Sequence, residues 1–237
     1  MSKVLFVAAF ALIAAFPVKA QKADRETVEG NGNLVTREVP VSSFESLKAG
    51  GVYELKLLQG NKETVKIEAD ENLQQYFQVK NEGNKLVIDM KEMRNVNLKN
   101  KNKMRVYVTF KTLKEIDLST VGSVDAEKSL NFADLEIRNA SVGRVDLNFS
   151  ANTVSLKNNS VGNMKLAGKA QNAVFTNNGV GNLDAGSFVV QSLDIENSGV
   201  GNATVNAEKE LKVKDNMLGR VKNQGTAPMR KNNRVRI

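Results

Sequence analysis

The sequence predicts an all-β fold, a right-handed parallel β-helix, and three observations predict it. The first is a short motif built on Val-Gly that recurs at Val121-Gly122, Val142-Gly143, Val161-Gly162, Val180-Gly181 and Val200-Gly201, with Leu218-Gly219 as a sixth copy. Successive glycines stand 21, 19, 19, 20 and 18 residues apart, a period too short for any two-helix repeat. The second is alternation: apolar pairs such as Leu135 with Ile137 precede each motif and pairs such as Val145 with Leu147 follow it, so each repeat holds two period-two strands. The third is the near absence of helical periodicity. One such turn cannot bury its apolar row alone, but copies stacked on one another, with rungs about 4.8 Å apart, close a continuous core. The right hand is expected because parallel crossovers almost always take it.

The first twenty residues read as a secretory signal peptide. Lys3 supplies the positive start, Val4 to Phe16 the apolar run, and Val18-Lys19-Ala20 the small-residue cleavage site. The run is short for a bilayer span and nothing comparable follows it, so no transmembrane segment is expected after its removal. The sequence therefore reads as an exported protein, periplasmic, on the outer surface or secreted. It has no Cys, which excludes disulfides and lipid attachment through an N-terminal cysteine.

Residues 21–35 are polar around Gly30-Asn31-Gly32-Asn33 and read as a flexible lead-in. Residues 36–113 form an N-terminal β region with alternating runs at Val52 to Leu58, Thr64 to Ala69, Lys85 to Met90 and Met104 to Phe110. This region lacks the Val-Gly motif, so it supplies either irregular outer turns of the solenoid or a small antiparallel cap; both would cover an open strand edge. One short helical turn is expected at Glu71 to Tyr76, with Asp70 as its N-cap. Lys91 to Arg105 carries six basic residues against the single acid Glu92 and reads as an exposed, extended excursion. The solenoid repeats occupy 114–223, and 224–237 is a basic tail. Within the repeats, Leu135, Ile137, Val145, Val154, Leu156, Leu166, Leu183, Leu193, Ile195 and Val213 hold the inward positions.

Asn139, Asn158, Asn177 and Asn197 stand four residues before their valines, with Leu118 and Asp215 at the flanking positions. Stacked amides of this kind hydrogen-bond along the axis, a structural row and not a binding one. A second row, Asn163, Asn182 and Asn202, is interrupted by Arg144 and Arg220 and reads as exposed. The repeated glycines imply positive φ, or a bend where a Cβ would strike the next rung. Asp125, Asp146 and Asp184 alternate with Lys165, Thr204 and Lys222, which rules out a calcium ladder.

Catalysis has little to stand on. There is no His and no Cys, and no acids cluster as a polysaccharide-cleaving site would require, so no catalytic residue, metal or cofactor is expected. The formal charge of +8, or +6 without Lys3 and Lys19, fits an anionic partner. Export and the scarcity of aromatic residues argue against nucleic acid. The basic stretch and the basic tail read first as charges that blunt strand-edge pairing; if the stretch binds instead, Lys99, Lys101, Lys103 and Arg105 are the ligand-binding candidates, for an anionic glycan or another envelope partner.

The chain resembles the head GIN domain family of putative auto-transporter adhesins from about Gly30 to Gly225. The residues that carry the likeness are Gly30-Asn31-Gly32-Asn33, Arg37-Glu38-Val39, Phe44-Glu45-Ser46-Leu47, Val52-Tyr53-Glu54-Leu55 with Gln59-Gly60, and the repeating turns, where similar proteins read Ser-Gly-Ser-Gly. The resemblance implies an exported β-helical domain with an adhesive role and supplies no catalytic or binding residues. A non-catalytic adhesin or binding module is therefore the leading expectation. A structural or sensory envelope protein that contacts another protein is the alternative, and a glycan-active β-helix enzyme comes third.

Overall fold

The computed structural model describes residues 26–91, 96–99, 101–215 and 219–231. The first half contains β1 (Glu26–Glu29), β2 (Leu34–Val39), β3 (Ser46–Val52), β4 (Glu54–Gln59), β5 (Thr64–Asp70), a 3₁₀ turn (Glu71–Tyr76), β6 (Phe77–Glu82), β7 (Lys85–Met90), β8 (Val96–Lys99) and β9 (Arg105–Phe110). The second half contains β10 (Glu115–Val121), β11 (Val124–Ala126), β12 (Leu130–Asn131), β13 (Asp134–Asn139), β14 (Val145–Asn158), β15 (Met164–Asn177), β16 (Leu183–Asn197), β17 (Ala203–Asp215), β18 (Val221–Asn223) and β19 (Met229–Lys231). All but β1 and β8 belong to one 17-stranded sheet that winds into stacked parallel coils, the β-solenoid that the repeat implies.

Register follows from the apolar alternation. Val154, Leu156 and Asn158 of β14 lie beside Ala173, Phe175 and Asn177 of β15, which lie in turn beside Leu193, Ile195 and Asn197 of β16. A slip of one residue would turn every inward side chain to solvent, so burial holds the coils in phase. All ten residues expected to point inward are buried. A chain of ring contacts runs from Phe110 through Phe132, Phe149 and Phe188 to Phe175, with centroids 4.8–6.5 Å apart, and all of these but Phe132 are fully buried. Leu156→Ala is expected to cost about 2–5 kcal/mol, because neighbouring coils fix the walls of the cavity it leaves; the drop in denaturation midpoint measures it.

Unequal repeat lengths reappear as register shifts. Between β15 and β16 the pairing offset changes from 19 at Lys165↔Asp184 to 20 at Ala167↔Ser187, and between β16 and β17 it falls from 20 at Asp184↔Thr204 to 18 at Ser192↔Glu210. The extra or missing residues are absorbed as bulges near Gly186 and Gln191, on the side of the coil away from the Val-Gly corner.

The N-terminal half turns out to be both of the things its sequence allowed. β3 pairs in parallel with β10 and β4 with β11, while β7 and β9 pair in parallel with β3 and β4, so two further coils continue the stack. Beyond them β2, β5 and β6 add antiparallel strands: β5 on β9, β2 on β5 and β6 on β7. These close the end of the solenoid whose edge would otherwise be open.

Four expectations change. Part of the 21–35 lead-in is strand, since β1 pairs in parallel with β8 and β2 begins at Leu34. The basic excursion is likewise structured: β8 lies within it and β9 starts at Arg105. Asp70 precedes the 3₁₀ turn without capping it through its side chain; its Oδ1 instead accepts a hydrogen bond from Asn102 at 2.6 Å. The last coil extends past residue 224, because β19 pairs with β17. The signal peptide, Leu218 and residues 232–237 lie outside the described residues. Among the described residues no helix is long and apolar enough to cross a membrane.

Candidate functional site

Each repeat bends at the same corner, and the chain there alternates inward and outward. Inside, Asn139 Nδ2 donates to Asn158 Oδ1 at 2.8 Å, Asn158 to Asn177 at 2.7 Å and Asn177 to Asn197 at 2.6 Å. Ser141 N–H and Ser160 Oγ donate to the ladder oxygens at Asn139 and Asn158, so the buried amides also hold the turn. Leu118 and Asp215 occupy the flanking positions, as the spacing implied.

Next in the corner comes the glycine. Gly162 has φ +135°, and a Cβ there would lie 1.9 Å from the carbonyl oxygen of Gly143 one rung below. Gly143, Gly181 and Gly201 repeat the arrangement, so both reasons proposed for the glycine apply together.

Outside, Val121, Val142, Val161, Val180 and Val200 form a stripe, each 48–52% exposed and each bridged in parallel to the next. Beside the stripe runs the second Asn row, exposed as expected. Asn182 N–H donates to Asn163 Oδ1 at 3.0 Å and Asn202 N–H to Asn182 Oδ1 at 3.1 Å, so each rung orients the amide of the one before.

A second surface feature escaped the sequence reading. An open groove of about 490 Å³ runs beside the corner at residues 131–134, with Leu113, Phe132, Ala133, Val154 and Val174 on its walls and Glu45 and Lys114 at its rim. Val174 is the available signal: it faces out in a row otherwise held by Glu136, Ser155 and Asp194.

The four basic candidates do not converge. Lys103 and Arg105 meet on Glu54, at 2.9 and 3.2 Å, and Arg105 also pairs with Glu68. The Lys103 hydrogen bond is the main reason that the Glu54 carboxyl lies below its ordinary range. Lys101 lies 3.7 Å from Glu29, and Lys99 ends β8 opposite the same residue. Much of their charge is thus met within the chain.

A further charged group joins four coils. Glu115 accepts from Ser46 Oγ at 2.7 Å, pairs with Arg138 and lies 3.7 Å from Lys85. The Ser46 hydrogen bond first, then Lys85 and Arg138, hold its carboxyl below the ordinary 4.5. A lowered folded pKa contributes stability that is present above the unfolded value and lost as pH falls through the folded one. Denaturation midpoints are therefore expected to drop on acidification below 4.5, and to drop less in Glu115→Gln. Equal slopes for the two proteins would show that the cluster contributes nothing. Among the described residues no three acids sit close enough to hold a metal ion.

Fold and surface together define a β-solenoid that offers repeated outward rows and an open groove to whatever it meets. The chain belongs to the family described as "Putative auto-transporter adhesin, head GIN domain", which it matches over residues 43–227. It is similar to the crystal structure of a putative adhesin from Bacteroides fragilis, with 26% identity, a TM-score of 0.72 and coverage of 86% of this chain and 100% of that one. A putative lipid binding protein from Parabacteroides distasonis shares the fold at 19% identity and TM-score 0.60, covering 88% and 100%. A putative adhesin from Parabacteroides merdae does so at 20% identity and TM-score 0.50, with the same coverage. No curated protein matches the chain.

Proposed function

We infer that the protein is a non-catalytic, exported module that adheres at the cell envelope through the outer face of its solenoid. The observation that carries this reading is the corner itself, where a stripe of half-exposed valines and a row of oriented amides repeat at rung spacing through a protein of an adhesin family. Stacked coils make such rows rigid, so little conformational entropy is lost when a partner is bound along them. Export is supported by the leader-like first twenty residues. The test combines protease shaving of intact cells with adherence of the purified protein to envelope fractions. Shaving that removes the protein, together with saturable adherence, supports the reading; a protein that is neither accessible nor adherent contradicts it.

A second reading, capture of an acyl chain, is favoured by the groove at Leu113, Phe132 and Val174 and by the name given to the Parabacteroides distasonis relative. Phe132→Ser with Val174→Ser would abolish uptake of a fluorescent fatty acid if the groove holds it, and leave envelope adherence unchanged if the corner is the adhesive face.

A further inference from the structure

The outward column next to the valines offers a hydrogen-bond donor on each of five rungs. It runs Arg144, Asn163, Asn182, Asn202 and Arg220, and the backbone carbonyl of each accepts from the coil before it, which keeps the five in register. Asn163 and Asn182 commit Oδ1 to the N–H of the next rung, leaving Nδ2 as the outward donor. Arg144 and Arg220 are exposed, and neither has an ion-pair partner among the described residues. Four rung intervals separate the two guanidinium-bearing residues, about 19 Å at the spacing of parallel strands.

The columns on either side narrow the chemistry of what would fit. On one side lies the valine stripe, an apolar ridge without charge. On the other, Asp146, Lys165, Asp184, Thr204 and Lys222 alternate in sign and sum to zero, with Asp184 also accepting from Gly186 N–H. A densely charged polyphosphate would set phosphates beside Asp146 and Asp184 as well as beside Lys165 and Lys222, so this column gives it no net attraction. A chain with one carboxylate per sugar ring, hydroxyls between the carboxylates and apolar ring faces satisfies all three columns at once. Carboxylates meet the guanidiniums and amides, hydroxyls donate to the aspartates, and C–H faces lie on the valines.

We propose that this face binds a linear acidic polysaccharide laid along the solenoid axis, held at its two ends by Arg144 and Arg220. The proposal rests on the adhesive reading and names its ligand class. The Lys99 to Arg105 loop differs from this column in that three of its four cations already have carboxylate partners.

The experiment is titration of the purified protein with polygalacturonate, with dextran as the uncharged control and phosphatidylglycerol vesicles as the anionic membrane control. Arg144→Gln with Arg220→Gln, checked for fold by circular dichroism, is expected to weaken polygalacturonate binding about tenfold or more, the loss typical of removing charge-assisted hydrogen bonds. It is also expected to flatten the dependence on salt. Asn182→Ala should weaken binding by a smaller factor while leaving the salt dependence intact. Unchanged affinity in the double arginine variant overturns the proposal, as does equal binding of dextran. Binding of vesicles that depends on the same arginines overturns it in favour of a membrane surface. Adherence to envelope fractions without affinity for polygalacturonate overturns the ligand class and leaves the adhesive reading standing, whereas loss of both contradicts the two together.

Discussion

Replacing Gly162 with alanine is expected to unfold the central coils or destabilise them by about 2–6 kcal/mol, combining the cost of a strained positive φ with that of overpacking. The site leaves no room to relax. The added Cβ would stand 1.9 Å from the Gly143 carbonyl oxygen, and that oxygen belongs to a rung fixed by its own hydrogen bonds on both sides. Gly83 provides the comparison. It too has positive φ, +60°, but nothing lies within 4 Å of its would-be Cβ, so Gly83→Ala should cost only about 1–2 kcal/mol for the left-handed backbone. Urea denaturation of the two variants beside the parent measures the difference. Similar losses at both sites would show that backbone conformation, and not the approach of the rungs, sets the need for glycine.

Asn177→Ala is expected to cost a similar amount for a different reason. Asn177 accepts from Asn158 and donates to Asn197, and all three are buried. Truncation leaves one donor and one acceptor without a partner, at about 1–3 kcal/mol each. Asn177→Asp separates the two halves of that loss. A carboxylate still accepts from Asn158 but turns a second acceptor towards Asn197 Oδ1, and protonation restores a donor. The carboxyl's folded pKa would thus be raised, so the penalty should grow as pH rises through the ordinary carboxylate range and shrink below it, opposite in sign to the Glu115 effect. A pH-independent loss in Asn177→Asp would mean that the ladder is open to water.

The solenoid was legible because its repeats bear two marks that survive in one dimension. The glycine is forced by the approach of the next rung, and the apolar alternation is forced by burial. Where a coil lacks the first mark the sequence leaves alternatives open: Val52 aligns with Val121, but Tyr53 stands in the place of Gly122, so the strands there were legible but their place in the stack was not. β1 and β8 are four residues each, too short for a period to show, and they pair across about 70 residues of chain. Partners such as Glu54 with Lys103 and Arg105, or Asp70 with Asn102, are distant in sequence and close only because the coils stack. That is why a run of basic residues read as free charge. The exposed Asn row was visible, but the fixing of its amides by backbone N–H groups depends on rung register and emerges only in three dimensions.

The central claim is that successive Val-Gly corners lie directly over one another in parallel. The natural sequence has no cysteine, so paired cysteines report on it without background. Val142 and Val161 are bridged neighbours, and in-register parallel strands about 4.8 Å apart fall within the Cα separation a disulfide needs. Val142 and Val180 are two rungs apart, roughly 9.6 Å, beyond its reach. Under mild oxidation at low protein concentration, Val142→Cys with Val161→Cys should form an intramolecular disulfide in nearly all molecules, and Val142→Cys with Val180→Cys should not. Efficient closure of the second pair together with failure of the first would contradict the stacked, in-register solenoid.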